Sequence, residues 1–229
     1  MTIAENVARV REEINLAAQR CGRNSEDITL VAASKMNDFT HVREAIEAGI
    51  TVCGENRVQE MTVKNAQGAY EGAHLHFIGR LQKNKVRQVV GVAELIHGVD
   101  TLALLQEIGR RATEKGIVQD VLLEVNIGRE ESKAGFAPEE IPAILESGES
   151  ISGIRIRGLM AIPPLVASEA EIFPYFSAMQ QLFVDNGQKK YDNSNMDFLS
   201  MGMSHDFQQA IACGSNMVRI GTKIFGPRN

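Results

Sequence analysis

Lys35 is the residue of this sequence with the clearest chemical potential, because it ends an almost wholly apolar segment, ITLVAAS. A lysine whose stem runs up the inside of a protein has a partly desolvated ammonium, which loses its proton more readily and leaves a neutral amine. Such an amine attacks carbonyl carbons and forms Schiff bases. The plainer interpretation is a lysine that emerges into solvent at a strand end, as most lysines do. The apolar context favours the chemical interpretation.

A second group of candidate residues lies in two segments near the end of the sequence, LSMGMSH and RIGT. Hydroxyl groups and free backbone N–H groups at the start of a short helix bind anions. In an eight-stranded α/β barrel, the loops after strands seven and eight form a recurrent phosphate site. Either loop alone would be ordinary turn chemistry, but two adjacent loops predict an anion cradle. Its candidate ligands are Ser200, Ser204, Gly221 and Thr222.

Arg219 stands two residues before Gly221 on the last predicted strand, so both side-chain positions face the same side of the sheet. From there its guanidinium could reach the far end of a ligand whose phosphate lies on Gly221. A buried partner of a carboxylate is an equally good interpretation from the sequence.

Apolar strand patterns alternate with helical patterns along the chain, which is typical of a parallel sheet with helices outside it. The helical patterns cover residues 3–18 and 167–186, begin at Thr40 and Thr101, and recur after His205. The eight predicted strands are 28–33, 50–53, 75–78, 95–99, 118–127, 154–160, 198–201 and 217–220.

Eight units of similar length favour a single (β/α)8 TIM-like barrel, with residues 1–229 forming one domain. The alternative is an open doubly wound sheet, but the first strand lacks the glycine-rich turn of a dinucleotide-binding fold. In a barrel, the polar residues that follow the strands meet at one rim, where active sites of this fold are built.

The composition excludes several other classes of protein. The chain has 229 residues, 44% hydrophobic and 23% charged, with a net charge of -5, so it has no overall attraction to nucleic acid or anionic lipid. Three widely spaced cysteines without a C-x-x-C motif argue against disulfides or a zinc site, and the five histidines lack metal-ligand spacing. Charges interrupt the N-terminal segment, and no apolar run reaches membrane-spanning length. We expect a cytoplasmic protein without metal or membrane contacts.

A basic cluster at residues 80–87, RLQKNKVR, suggests an RNA- or partner-binding module as another class of function. The cluster has no interleaved aromatic residues and the whole chain is acidic, so a solvated helix face explains it better.

Six segments in their order along the chain resemble the YggS/PROSC family of pyridoxal phosphate homeostasis proteins. They are LVAASKMNDFTHVREAIEAG, CGENRVQE, HFIGRLQKNKV, VNIGREESKAGF, RGLMAIPP and LSMGMSHDFQQAIACGSNMVRIGTKIFGPR. The resemblance implies a monomeric barrel similar to the N-terminal domain of alanine racemase, with pyridoxal 5'-phosphate (PLP) held as a Schiff base on Lys35. PLP-dependent apoenzymes are the candidate recipients of the cofactor.

The same resemblance implies site residues one by one. Ser200, Ser204, Gly221 and Thr222 fall on the phosphate-binding motifs. Arg219 falls on the arginine near the pyridine nitrogen, and Asn56 on the G-E-N loop. A guanidinium cannot accept the ring proton, so an arginine at that nitrogen suppresses strong carbanion chemistry.

We therefore expect a PLP-binding homeostasis protein without catalytic residues or strong turnover. The alternative is a weak PLP-dependent amino-acid racemase. A two-base racemase needs a second acid or base on the opposite face of its substrate, which in alanine racemase is a tyrosine from the C-terminal β-domain of the partner subunit. The tyrosines of this chain stand outside the strand-end motifs. A second lysine on the rim, Lys133, raises the hypothesis of a transient cofactor acceptor.

Overall fold

The eight strands form a closed parallel barrel in chain order, in which the last strand pairs with the first. This computed structural model describes residues 1–164 and 168–227. The strands are β1 Thr29–Ala33, β2 Val52–Glu55, β3 His74–Phe77, β4 Leu95–Val99, β5 Gln119–Val125, β6 Ile154–Ala161, β7 Ser194–Met203 and β8 Met217–Ile220. The predicted (β/α)8 barrel is confirmed.

Helices connect the strands and cover the outside of the barrel. They are α1 Ile3–Arg20, α2 Phe39–Glu47, α3 Val58–Ala66, α4 Val86–Val89, α5 Leu102–Glu114, α6 Ile141–Gly148, α7 Glu169–Gly187, α8 Phe207–Ala212 and α9 Thr222–Phe225. Capping residues fix where some of the helices begin. Thr2 and Glu5 form a capping box at the N-terminus of α1, and the side chain of Thr101 accepts a hydrogen bond from a backbone N–H of α5.

Two apolar layers pack on the two faces of the sheet. The larger layer lies between the strands and the helices, where α1 buries Val7, Val10 and Ile14. The smaller layer fills the inside of the barrel. Its members are Val31, Ala33, Val52, Ile78, Leu95, Leu122, Met160 and Met217. Because side chains alternate between the two faces of a strand, the next inward positions toward the carboxyl ends are those that can line a site.

Some predicted boundaries need correction. β4 and β8 begin and end where the sequence predicts, but β2 was predicted at residues 50–53 and lies at Val52–Glu55. The strand includes Glu55 although the residue is charged, because its side chain is wholly buried in a hydrogen-bonded cluster. β7 is longer than predicted and begins at Ser194. The predicted start of the helix at Ala167 lies outside the described residues.

No helix among residues 1–164 and 168–227 is long and apolar enough to cross a membrane. Within the same part of the chain, no group of three or more histidine, cysteine, aspartate or glutamate residues could hold a metal ion.

Candidate functional site

A cleft of about 290 Å³ opens where β1 and β8 meet at the carboxyl end of the barrel. Residues 35–38, in the turn after β1, line one wall. Gly221, Thr222 and Phe225, after β8, line the other. The structure therefore brings Lys35 and part of the predicted anion cradle into one cleft.

Strand alternation explains why Lys35 reaches this cleft. Val31 and Ala33 point into the barrel, and Lys35 is the next residue of the same parity, partly buried in the turn beyond the strand. Val31 pairs with Arg219 in the β1–β8 register, so Ala33 stands beside Gly221. A side chain at Gly221 would place its Cβ 3.2 Å from the carbonyl oxygen of Ala33, so glycine allows this close approach.

Ser204, directly after β7, contacts the second wall of the cleft through Gly221 without lining the cleft itself. Its side chain is buried, and its Oγ accepts a hydrogen bond from the backbone N–H of Gly221 at 3.3 Å. Thr222 begins α9 and is partly buried. The hydrogen bond brings Ser204 next to Gly221 and Thr222, so hydroxyl and backbone N–H groups of the kind that bind anions lie close together.

Gly202 lies near the carboxyl end of β7, two residues before Ser204. Its φ is +93°, and an added Cβ would lie 2.6 Å from Cβ of Ala210 and 2.9 Å from Cα of Phe207. Glycine therefore satisfies both the backbone conformation and the packing of α8 against this end of β7.

Arg219 and Ser200 lie deeper, inside the barrel beneath the cleft. The Nη1 group of Arg219 donates to the carbonyl oxygen of Ser200 at 2.8 Å and to its Oγ at 2.5 Å, while Nη2 donates to the carbonyl of Ala161 at 2.9 Å. These acceptors are all uncharged. Arg219 is thus held by hydrogen bonds to neutral oxygens rather than as the partner of a carboxylate.

Burial is the main influence on the charge of Arg219. Removal from water lowers the pKa of Arg219 to about 10, and the nearby carboxylates of Glu124 and Asp206 oppose that shift. The guanidinium therefore remains charged at neutral pH.

Two buried histidines continue the hydrogen-bonded chain below Ser200. His97 Nδ1 lies 3.1 Å from Ser200 Oγ, and His97 Nε2 lies 3.1 Å from His76 Nδ1. Arg219 donates to Ser200 Oγ, and the same hydroxyl is within hydrogen-bond distance of His97 Nδ1. One hydroxyl group therefore links the guanidinium to two neutral imidazoles.

Asn56 follows β2, the strand that pairs with β1 on the side away from β8. Its Oδ1 is buried, and the described residues supply no hydrogen-bond partner for it. Gly79 approaches so closely that a Cβ there would lie 2.2 Å from the backbone oxygen of Asn56. A buried amide oxygen without a partner fits a place where a ligand group binds.

Glu124 is a polar residue of the barrel interior that the sequence analysis did not single out. Burial raises the pKa of its carboxyl group, with Asp100 adding to the rise and Arg219 and Arg80 opposing it. Its position two residues after inward-facing Leu122 is the signal that could have identified it.

Lys133 lies in the loop after β5 and is partly buried. Its Nζ donates to the carbonyl oxygen of Pro163 at 3.3 Å and forms an ion pair with Glu130. It is not among the residues that line the cleft.

The arrangement suits a small molecule with a carbonyl group and a phosphate. An amine and a set of anion-binding donors share one cleft, and a charged guanidinium lies beneath it. The amine can bond covalently to the carbonyl, and the donors can hold the phosphate.

Comparisons with known proteins agree with this description. Residues 6–229 match the family described as alanine racemase, N-terminal domain. The chain is 42% identical over 228 residues to the pyridoxal phosphate homeostasis protein of Aquifex aeolicus, covering 100% of this chain and 99% of the relative. It is 40% identical over 230 residues to the Escherichia coli protein of that name, covering 99% and 97%.

A solved structure is also similar over the whole barrel. PipY of Synechococcus elongatus, determined with PLP bound, is 33% identical, has a TM-score of 0.85, and covers 98% of this chain and 100% of that one. The resemblance inferred from the six sequence segments is confirmed, and the chain belongs to the alanine racemase N-terminal domain family, among the pyridoxal phosphate homeostasis proteins.

Proposed function

We propose that this protein binds PLP reversibly and serves intracellular PLP homeostasis, with Lys35 forming a Schiff base to the cofactor. The observation that carries the proposal is the shared cleft of Lys35, Gly221 and Thr222. The names of the relatives and the PLP-bound PipY structure support the same ligand. PLP supplies an aldehyde that condenses with an amine and releases water.

The residues of the cradle fit the two ends of this ligand. Ser204, Gly221 and Thr222 provide the hydroxyl and N–H groups for the phosphate, while Lys35 provides the amine at the mouth of β1. Ser200, engaged by Arg219 and His97, acts on the ligand mainly by orienting Arg219. Asn56 offers a buried acceptor that has no other partner among residues 1–164 and 168–227.

Arg219 favours storage of the cofactor over catalysis. A charged guanidinium can donate a hydrogen bond to a ring nitrogen but cannot accept one from a protonated ring nitrogen. A ring nitrogen facing Arg219 therefore stays unprotonated. The uncharged ring is a weak electron sink, so reactions that need a carbanion on the substrate stay slow. This supports a carrier without strong catalytic turnover.

The tyrosines give no support to a two-base racemase. Tyr70 is buried on the outer side of the barrel wall and donates to Glu55, and Tyr175 lies on α7. Tyr191 precedes β7 and forms an isolated bridge with Ser194. None of the three lines the cleft. We expect at most weak racemisation of alanine.

The cellular role follows from reversible binding. A monomer in the cytoplasm that holds a reactive aldehyde as a Schiff base limits its side reactions and can pass it to PLP-dependent apoenzymes. Delivery is tested by mixing the PLP-loaded protein with such an apoenzyme. We expect the apoenzyme to regain activity while this protein loses its bound cofactor.

Absorption spectroscopy with borohydride tests the covalent step. Wild-type protein with PLP should show a violet-region band that reduction removes, and peptide mapping should locate the label on Lys35. Lys35→Ala should lack the band, whereas Lys133→Ala, which alters a lysine outside the cleft, should retain it. A trapped label on another lysine in the wild type would overturn the assignment of Lys35.

The same samples test the absence of strong catalysis. D-alanine formed from L-alanine is measured with each protein, and we expect turnover far below that of an alanine racemase. Substantial turnover that disappears in Lys35→Ala would establish the racemase alternative.

A further inference from the structure

A buried polar cluster lies on the outer side of the barrel wall, behind the turn that carries Lys35. We call Glu55, Lys64, Tyr70 and Ser34 the Glu55 cluster. The Oε1 atom of Glu55 accepts hydrogen bonds from Lys64 Nζ at 2.6 Å, from Ser34 Oγ at 2.6 Å and from Tyr70 Oη at 3.0 Å. The Glu55 side chain is fully buried, and only 8% of the Lys64 side chain is exposed.

A buried ion pair is a poor source of folding stability. Burying two charges carries a desolvation penalty that their attraction often fails to recover, so apolar residues of similar volume would stabilise the fold at least as well. The polar atoms must therefore be explained by what they hold in place.

The cluster and its neighbour Glu60 bind both peptide groups that flank Lys35. Lys64 Nζ donates to the carbonyl oxygen of Ser34 at 2.9 Å, which belongs to the peptide bond before Lys35. Glu60 Oε2 accepts from the backbone N–H of Met36 at 2.8 Å, which belongs to the peptide bond after it. Lys64 and Glu60 are one turn apart on α3, with Nζ and Oε2 separated by 3.8 Å.

The turn needs such support because its backbone is unfavourable. Met36 adopts a φ of +63°, in the left-handed region that residues other than glycine rarely occupy. Two peptide bonds anchored to one helix fix the backbone dihedral angles of Lys35, and with them the direction in which its side chain leaves the turn.

We propose that Glu60 and Lys64 of α3, with Glu55 as the buried anchor of Lys64, are positioning residues for the Lys35 amine. This inference rests on the proposed function, in which that amine bonds to the cofactor. The residues act from outside the barrel and line no part of the cleft.

Glu60→Ala is the sharpest test, because the Glu60 side chain is 23% exposed and its removal leaves the Glu55 cluster intact. We expect Schiff-base formation with PLP, followed by stopped-flow absorbance, to slow by about tenfold, since small misplacements of a reacting group cost this much or more. Glu60→Gln keeps an amide oxygen that can accept the Met36 N–H, so it should restore most of the rate. Gln59→Ala, an exposed position on the same helix, should react like the wild type.

A second ligand separates positioning from a general disturbance of the site. Pyridoxine 5'-phosphate keeps the phosphate but lacks the aldehyde, so its affinity should be the same for the wild type and for Glu60→Ala. Equal losses for both ligands, together with a lower melting temperature, would overturn the proposal in favour of a purely structural cluster.

Lys64→Met with Glu55→Gln removes the ion pair as a unit and provides an independent variant. It should slow Schiff-base formation in the same way while still binding pyridoxine 5'-phosphate. If the wild type traps PLP on Lys35, and Glu60→Ala and the double variant both form the Schiff base as fast as the wild type, the positioning proposal is wrong. If the wild type traps no PLP, the proposed function itself fails.

Discussion

Arg219 donates from Nη1 to Ser200 Oγ at 2.5 Å, joining β8 to β7 inside the barrel. The bond fixes the direction of the guanidinium beneath the cleft. The same hydroxyl lies 3.1 Å from His97 Nδ1. One hydroxyl group therefore couples Arg219 to the buried histidine pair.

Ser200→Ala should remove this coupling at a measurable cost. The substitution leaves His97 Nδ1 buried without its partner, and an unsatisfied buried polar group costs about 1–3 kcal/mol of unfolding free energy. Urea denaturation of the cofactor-free protein measures the loss. Ser150→Ala, at an exposed serine that donates to the carbonyl of Ser147, should change stability by less than about 0.5 kcal/mol. Equal effects of the two substitutions would contradict the role of the hydroxyl.

The histidine pair should make the protein sensitive to acid. Burial lowers the pKa of both histidines, to about 4 for His76 from an ordinary value of 6.5. Below pH 6.5 the unfolded chain takes up protons that the native state refuses, so the free energy of unfolding should fall as pH drops. For His76 alone the loss between pH 7.5 and pH 5 is about 2 kcal/mol.

Comparison of variants isolates this pH effect. His76→Asn keeps an acceptor for His97 but does not titrate, so its stability should fall less steeply between pH 7.5 and pH 5. His205→Asn, which changes an exposed histidine, should keep the slope of the wild type. Parallel slopes for all three proteins would show that the buried pair does not dominate the acid response.

The effects of the proposed phosphate cradle on PLP binding should be separable from those of Lys35, the proposed covalent site. Ser204→Ala and Thr222→Val each remove one hydroxyl, and a hydrogen bond to a charged group contributes about 1.5–3 kcal/mol. The affinity for PLP should therefore fall by about tenfold or more per substitution, measured by equilibrium absorbance titration. Pyridoxal lacks the phosphate, so its weaker binding should be unchanged. A parallel loss for pyridoxal would argue that the hydroxyls only support the loops.

Gly202→Ala should destabilise the fold through both backbone and packing. A side chain at positive φ costs about 1–2 kcal/mol, and the contact with Ala210 adds about 1–3 kcal/mol. Gly116→Ala separates the two contributions, because Gly116 has a φ of +68° and open space around its Cβ position. We expect Gly202→Ala to lose more unfolding free energy than Gly116→Ala. The same loss for both would leave only the backbone effect.

The sequence predicts the barrel well because repeated strand and helix patterns report on the two faces of each element. Lys35 and Arg219 can also be predicted from the sequence, since each continues the inward-facing series of a buried strand. The Glu55 cluster cannot, because the sequence does not distinguish a buried lysine and glutamate from solvent-exposed ones until the packing of α3 against the barrel is known. The engagement of Ser200 by Arg219 likewise depends on side-chain directions within the barrel.

The pairing of β1 with β8 has a consequence for how the barrel opens. In the described barrel, this is the junction between strands that are not consecutive in the chain. Lys35 and Thr222 stand on the two sides of this junction, so a molecule bonded to one and held by the other connects β1 to β8. Separation of the two strands would first have to break the contacts of that molecule with one side. Cofactor binding should thus slow unfolding of the barrel, and a chain in which β1 and β8 have not yet paired has no cleft in which to bind the cofactor.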